Sequence, residues 1–155
     1  MKGLLKIKPN ILIDGVLIIQ LVLHICGEMF HWKSFFSSVY TITIGSIVAF
    51  LGLLIHIRCH KYHKKGHKTS DKIKTIVSSG IFLKIRHPMY LGLFMISWGL
   101  YIAWNFIVII PVPILLSILL FFLAKQEEMF LIKKMGDSYK EYQKTVKWMF
   151  IPGII

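Results

Sequence analysis

Three residues around Pro88 provide a cation, an imidazole and a phenol: Arg86, His87 and Tyr90. Proline is favoured at the first position of a helix, so the sequence predicts that a helix begins at Pro88. The start of a helix carries a partial positive charge and free N–H groups, which suit an anion such as a carboxylate. The alternative is that Arg86 extends its head group to water and Tyr90 anchors the helix at a membrane surface.

Two adjacent carboxylates, Glu127 and Glu128, follow a long apolar segment. If that segment is a helix that ends near Ala124, the carboxylates lie at its partly negative end, where anions are unfavourable. A bound cation or nearby basic side chains would explain them. The alternative is a solvated helix face on which they pair with Lys125 and Lys133.

A histidine-rich stretch is a third candidate, because histidines four residues apart can chelate a metal ion on one helix face. The pairs are His56 with His60 and His63 with His67, with Cys59 among them. Four lysines are interleaved with these histidines: Lys61, Lys64, Lys65 and Lys68. Because they would repel a divalent cation, we predict no metal ligands here. The stretch is instead typical of a basic patch that contacts anionic lipid headgroups.

The composition restricts the class of protein that can position these groups. Hydrophobic residues make up 55% of the 155-residue chain and charged residues 17%, and the net charge is +12. This hydrophobicity excludes a disordered chain and argues against a soluble nucleic-acid-binding protein, so we predict no nucleic-acid partner. Long apolar runs with basic flanks indicate an integral membrane protein.

The apolar runs predict an all-α, multi-pass membrane protein with about four transmembrane helices. Residues 11–26 and 40–57 form the first two spans. Residues 88–124 contain no charged side chain, and a straight helix of that length, roughly 55 Å, is nearly twice the bilayer core. We therefore predict a helical hairpin that turns at Ala103-Trp104-Asn105, because tryptophan suits the membrane interface and asparagine suits turns.

Two further patterns refine this prediction. Pro111 and Pro113 fall within the fourth predicted helix and predict a kink there. Apolar residues recur every three or four positions from Glu128 to Val146, and Gly136 interrupts them. This pattern predicts two short amphipathic helices on the cytosolic side of the membrane.

Basic residues divide unevenly between the two predicted sides of the membrane. Of the 19 lysines and arginines, all but Lys33 fall on one side. The positive-inside rule therefore predicts that both termini are cytoplasmic. The single domain, residues 1–155, would comprise two N-terminal membrane helices (1–57), a basic cytosolic loop (58–86), a helical hairpin (88–124) and cytosolic C-terminal helices (125–155).

At this point the sequence resembles a known family. Residues 75–92, TIVSSGIFLKIRHPMYLG, resemble the central motif of the isoprenylcysteine carboxyl methyltransferases. Glu127-Glu128, followed by Gly136, Tyr139, Tyr142, Val146 and Pro152, resembles that family's closing motif. The resemblance covers roughly residues 72–152, and phospholipid N-methyltransferases share the broader pattern.

The resemblance implies methyl transfer from S-adenosyl-L-methionine to an O, N or S atom of a lipophilic small molecule or lipid at the cytosolic membrane face. It implies cofactor contacts from the loop, the third helix and the fourth helix, at Lys74, Thr75, Ile76, Val77, Phe82, His87, Pro88, Tyr90 and Glu127. We name Arg86, His87 and Glu128 as candidate catalytic residues. None of them is an obvious general base, and much of the catalysis would come from positioning and from exclusion of water.

The chain departs from the family pattern at two positions. Leu123 stands where the family usually has an arginine linked to the methyl acceptor, and Lys125 is nearby; we name both as candidate substrate-binding residues. Phe82 stands where the family often has tyrosine. Because a buried carboxylate without a paired cation is costly, we predict that a prenylcysteine carboxylate is a poor acceptor. Three alternatives are a phospholipid N-methyltransferase-like enzyme, a membrane reductase with a nicotinamide cofactor and a non-catalytic scaffold that binds lipid.

Overall fold

The computed structural model describes residues 9–35, 39–64, 80–151 and 153. These residues form α-helices and short 3-10 turns, with isolated bridges and no strands in the described ranges. The prediction of an all-α fold is confirmed. The helices are α1 (Pro9–Met29), α2 (Val39–Lys64), α3 (Pro88–Trp104), α4 (Pro111–Met135) and α5 (Asp137–Thr145).

The turn between α3 and α4 lies where the sequence predicted it. Helix α3 begins at Pro88 and ends at Trp104. Asn105 follows with a positive φ of 41°, a conformation that asparagine tolerates better than most residues. A 3-10 turn, Ile107–Ile109, then leads into α4.

Two predictions about the fourth helix are wrong. Pro111 begins α4 and Pro113 lies in its first turn, where the missing N–H groups are not needed, so the prolines start the helix rather than kink it. Helix α4 also continues past Ala124 to Met135. The two glutamates therefore lie inside a helix rather than beyond its end, and α5 alone is a separate C-terminal helix in the described chain.

The chain divides into two compact units, Met1–Phe50 with Phe94–Leu119 and Leu51–Leu93 with Leu120–Ile155. In the first unit, α2 and α3 approach closely along small residues. A Cβ atom on Gly45 would collide with the backbone of Ala103, and one on Gly99 would collide with the backbone of Ala49. The Gly45/Ala49 and Gly99/Ala103 pairs therefore permit a helix contact that larger residues would block.

Neutral polar groups join α1 to α3 in the same unit. The Gln20 side-chain amide donates to the carbonyl of Ser97 at 2.8 Å, and the Ser97 hydroxyl donates back to Gln20 at 2.5 Å. Both side chains are buried. This reciprocal pair satisfies polar groups that would otherwise be costly in an apolar core.

In the second unit, the C-terminal segment lies against the chain just before α3. The N–H of Arg86 donates to the carbonyl of Trp148, and that of His87 donates to Met149, both at 2.9 Å. A parallel bridge joins Ile85 to Trp148. The start of α3 is thereby fixed to the segment that follows α5.

Two stretches in the described chain are long and apolar enough to cross a membrane, Val39–Cys59 and Ile107–Met135. Helix α3 is a shorter apolar helix. Many large apolar side chains of α1, α2 and α4 are exposed, which is typical of a surface that contacts lipid rather than water.

Candidate active site

The start of α3 and the middle of α4 contribute an ionic cluster within the second unit. Glu128 is at its centre and is buried. One carboxylate oxygen accepts from Nε of Arg86 at 2.6 Å and from Nε2 of His87 at 3.2 Å. The other accepts from the amide of Gln143 on α5 at 3.1 Å. Three donors from two parts of the chain, the residues just before α3 and helix α5, therefore satisfy this buried carboxylate.

Arg86 also holds the C-terminal segment. Its Nη1 donates to the carbonyl of Val146 at 2.8 Å and to that of Lys147 at 2.6 Å. The side chain is only 11% exposed, so its head group does not extend freely into water as the alternative interpretation required. The planar guanidinium suits this arrangement because it presents several donors in fixed directions.

His87 lies between the two carboxylates. Its Nδ1 is 3.7 Å from Oε2 of Glu127, and its Nε2 faces Glu128. The imidazole stacks on the ring of Tyr90, with centroids 5.5 Å apart and planes within 5° of parallel. Phe150 flanks it on the C-terminal segment, with a centroid distance of 6.0 Å. The imidazole is thus held by contacts on its edges and its face.

Glu127 differs from its neighbour in exposure and in the number of hydrogen bonds. Its side chain is 18% exposed, against 6% for Glu128. The Tyr90 hydroxyl donates to Oε2 of Glu127 at 3.1 Å. No described residue donates to Oε1. Glu127 is therefore the member of the cluster that can accept from a bound cation.

Helix α5 fixes the short segment that precedes α3. The Tyr142 hydroxyl donates to the carbonyl of Phe82 at 2.8 Å. Burial raises the pKa of Tyr142 to about 12, so the phenol keeps the proton of this hydrogen bond at neutral pH. The Phe82 side chain is buried. The hydrogen bond from Tyr142 holds the backbone of residue 82, and this contact does not require a tyrosine side chain at that position.

The sequence is similar to that of known methyltransferases. A profile of phospholipid methyltransferases matches residues 40–138. The chain belongs to the phospholipid methyltransferase family. It is also 37% identical over 84 residues to a protein from Dictyostelium discoideum named protein-S-isoprenylcysteine O-methyltransferase. That match covers 51% of this chain and 33% of the relative, so the chain spans about a third of the relative's length. Family membership and the apolar helices indicate a membrane protein.

The structure brings together most of the residues that the sequence singled out for this family. The cluster and its immediate flanks contain Phe82, Arg86, His87, Pro88, Tyr90, Glu127 and Glu128. Lys74, Thr75, Ile76 and Val77 lie outside the described residues. Leu123 lies one helical turn before Glu127 on α4 and is partly buried. The exposed Lys125 places its ammonium 5.7 Å from the ring centroid of Phe121.

Two alternative interpretations can be checked against the same contacts. The interpretation that the glutamates pair with Lys125 or Lys133 is wrong. Their partners are Arg86, His87, Tyr90 and Gln143.

In the histidine stretch, Nδ1 of His56 is 3.4 Å from the carbonyl of Met89. The side chains of His60 and His63, and all of His67, lie outside the described residues.

Sequence reasoning missed Gln143 and the carbonyls of Val146 and Lys147. A signal for Gln143 was present, because it lies on the same face of α5 as Tyr139 and Val146, at spacings of four and three. A polar residue within an apolar stripe indicates a buried polar partner. The carbonyls could not be found in this way, because every residue has one.

Proposed function

We propose that this protein transfers a methyl group from S-adenosyl-L-methionine to a lipophilic acceptor at a membrane face. The observation that carries the proposal is Glu127, a partly exposed carboxylate with one oxygen to which no described residue donates, next to a buried carboxylate with donors on both oxygens, in a chain of this family. The family match favours methyl transfer over a nicotinamide-dependent reductase and over a non-catalytic scaffold.

The charges of the cluster suit this cofactor. Two carboxylates and one guanidinium leave one negative charge in excess, before His87 is counted. S-adenosylmethionine carries a sulfonium, an ammonium and a carboxylate, and therefore one positive charge in excess. The unbonded oxygen of Glu127 is suited to one of the cationic groups, and the ring face of Tyr90 or Phe82 to another. When bound, the cofactor would supply a methyl group already activated by the sulfonium.

The remaining residues of the cluster have distinct roles in this proposal. Tyr90 holds Glu127 through its hydroxyl, and His87 separates the two carboxylates. Arg86 and Glu128 act as positioning residues, because their hydrogen bonds within the protein fix the start of α3 and the C-terminal segment. We retain contacts from Lys74, Thr75, Ile76 and Val77 as an implication of the family resemblance.

The acceptor in this proposal is neutral or amine-bearing. Leu123 and Glu127 are four residues apart and share one face of α4, whereas Lys125 is two residues from each and faces elsewhere. The contact between Lys125 and Phe121 agrees with this placement. Helix α4 therefore offers no cation beside Glu127 to pair with an acceptor carboxylate, and such a carboxylate would be costly to bury.

The membrane arrangement is also part of the proposal. We retain four transmembrane helices, cytoplasmic termini, and a basic loop that contacts anionic lipid headgroups. Cysteine labelling in intact cells tests this topology. A cysteine at residue 65 should be protected from an impermeant reagent added outside, and labelling from outside would contradict the orientation.

Methyl transfer itself is tested with purified protein, radiolabelled S-adenosylmethionine and a total lipid extract, followed by a prenylcysteine analogue as a single acceptor. We expect label in the lipid fraction and poor transfer to the prenylcysteine. Leu123→Arg should increase prenylcysteine turnover, and Leu123→Met is the matched control. Efficient transfer by the wild type that is lost in Lys125→Ala would contradict the proposed acceptor class. No transfer to any lipophilic acceptor would contradict the function.

A further inference from the structure

The first unit contains a cavity of about 570 Å³. It is lined by the end of α1, the turn that follows, the first turns of α2, the end of α3 and the start of the next connection. Its lining includes none of the residues of the ionic cluster. A ligand confined to this cavity would therefore contact none of the residues that we assign to methyl transfer.

One carboxylate and several aromatic rings line the cavity. Glu28 is exposed and is the only aspartate, glutamate, lysine or arginine in the lining, and no described residue forms an ion pair with it. The lining also includes the imidazole of His31. Trp32, Trp104 and Phe106 contribute aromatic rings, and Trp32 and Phe106 meet edge to face, at 81° with centroids 6.3 Å apart. A carboxylate beside aromatic faces, with no lysine or arginine among the lining residues, favours a positively charged organic group.

Backbone contacts hold the walls of the cavity in place. Gly45, Ala49, Gly99 and Ala103 all line it, and they are the residues through which α2 and α3 approach most closely. Phe106 is packed against Gly27, where an added Cβ would lie 2.5 Å from the ring. Because these contacts leave little room for movement, the cavity is largely formed before a ligand binds.

We propose that this cavity binds an organic ammonium group, with Glu28 as its counter-ion and the tryptophan rings as its walls. Ammonium recognition by an aromatic cage with a carboxylate is a recurrent solution in proteins. Two sources share this chemistry: the headgroup of a membrane lipid and a small soluble ammonium compound. The cavity shares no lining residue with the ionic cluster. A negative result for ammonium binding would therefore not contradict the proposed methyl transfer, and a negative result for methyl transfer would not contradict ammonium binding.

The first test uses the full chain purified in a maltoside detergent, which has no ammonium group. Calorimetry compares choline with 3,3-dimethylbutan-1-ol, its uncharged isostere. We expect choline to bind about tenfold more tightly, since a ring face and a carboxylate attract the cation alone. Equal binding of the two compounds, or no binding of choline, would overturn the proposal without the need for any variant.

The second test removes the proposed counter-ion. Glu28→Gln keeps the shape of the side chain and should weaken choline binding about tenfold. Asp14→Asn is the matched control, because it removes a carboxylate from an exposed position of α1 outside the cavity, and it should leave binding unchanged. A Glu28→Gln protein that binds choline as the wild type does would overturn the role of Glu28.

Lipid nanodiscs distinguish the two sources. If the natural ligand is a lipid headgroup, choline should bind in discs of phosphatidylglycerol and be competed away in discs of phosphatidylcholine. If it is a soluble compound, choline should bind equally in both. Either pattern supports an ammonium site, whereas an absence of binding in phosphatidylglycerol discs would overturn it.

Discussion

The two units bury polar groups in different ways. The first unit joins its helices through neutral side chains, with Gln20 and Ser97 exchanging two hydrogen bonds. The second unit buries ions, with Arg86 and His87 on Glu128. Neutral pairs hold helices together with little dependence on their surroundings. Buried ions are stable only when each is paired, so their arrangement is far more restricted.

An unsatisfied atom also has a different meaning in each unit. His24 in the first unit is fully buried, and its Nδ1 lies 2.7 Å from the carbonyl of Gln20 and must donate to it. Its Nε2 is then an acceptor with no partner among the described residues. The ring centroids of His24 and Trp104 are 5.0 Å apart. In the second unit, Oε1 of the partly exposed Glu127 has no donor among the described residues. A charged carboxylate oxygen without a protein donor points to a bound ligand, whereas the neutral Nε2 of His24 is consistent with packing alone.

Breaking the ion pair should have the largest effect on stability. Arg86→Leu leaves Glu128 buried without its main partner, and we expect a loss of about 3–5 kcal/mol in the free energy of unfolding. Arg86→Lys keeps the charge but not the several fixed donors, and should lose less. Denaturant unfolding in detergent measures both. If Arg86→Leu is as stable as the wild type, the ion pair does not hold the unit together.

The helix contact in the first unit should be the next most sensitive feature. Gly99→Ala places a methyl group against the backbone of Ala49, and we expect a loss of about 1–3 kcal/mol. Gly15→Ala is the matched control, because Gly15 has open space around it. That change should be neutral or stabilise α1 slightly. Equal melting temperatures for the two variants would contradict the close approach of α2 and α3.

Loss of the Tyr142 hydroxyl should have a smaller, pH-dependent effect. Tyr142→Phe removes the hydrogen bond to the carbonyl of Phe82, which should cost about 1 kcal/mol. Because the folded pKa of about 12 exceeds the unfolded value near 10, the contribution is complete below pH 10 and is lost as the pH rises towards 12. Unfolding measured at pH 8 and pH 11 should therefore show a larger difference from the wild type at pH 8. A constant difference would contradict the buried phenol.

The neutral pair in the first unit should give the smallest effect. A double-mutant cycle of Gln20→Leu and Ser97→Ala should yield a coupling energy of about 0.6 kcal/mol, the average for hydrogen bonds between membrane helices. A coupling as large as that of the buried ion pair would remove the contrast between the units.

The sequence predicted the turn that depends on chain length and the start of α3 at Pro88, but not the role of Pro111 and Pro113 at the start of α4. The charge-free stretch from Pro88 to Ala124 was too long for one span, which required the turn that ends in Asn105. The same reasoning was wrong about where α4 begins and ends. Hydropathy indicates where a helix is apolar, but α4 continues for another three turns through polar residues to Met135.

The candidate site was predictable in its residue types and unpredictable in its pairing. The resemblance placed Arg86, His87, Glu127 and Glu128 together, and the structure supplies the partners. The different surroundings of the two adjacent glutamates had no signal in the sequence, because they depend on where α3 and α5 meet α4. Backbone acceptors for Arg86 were equally hidden, since carbonyls carry no sequence identity.

The most direct test of this account is the affinity of two variants for S-adenosylhomocysteine, measured by calorimetry on detergent-purified protein. Glu127→Gln keeps the size of the side chain and removes the charge that we assign to the ammonium of the cofactor, the cationic group that S-adenosylhomocysteine retains. We expect binding to weaken about ten- to a hundredfold, with thermal unfolding unchanged. Glu141→Gln is the matched control, because Glu141 is exposed on α5 and pairs only with Lys144 among the described residues. Equal affinity in Glu127→Gln and Glu141→Gln would contradict the assignment of Glu127 to the cofactor.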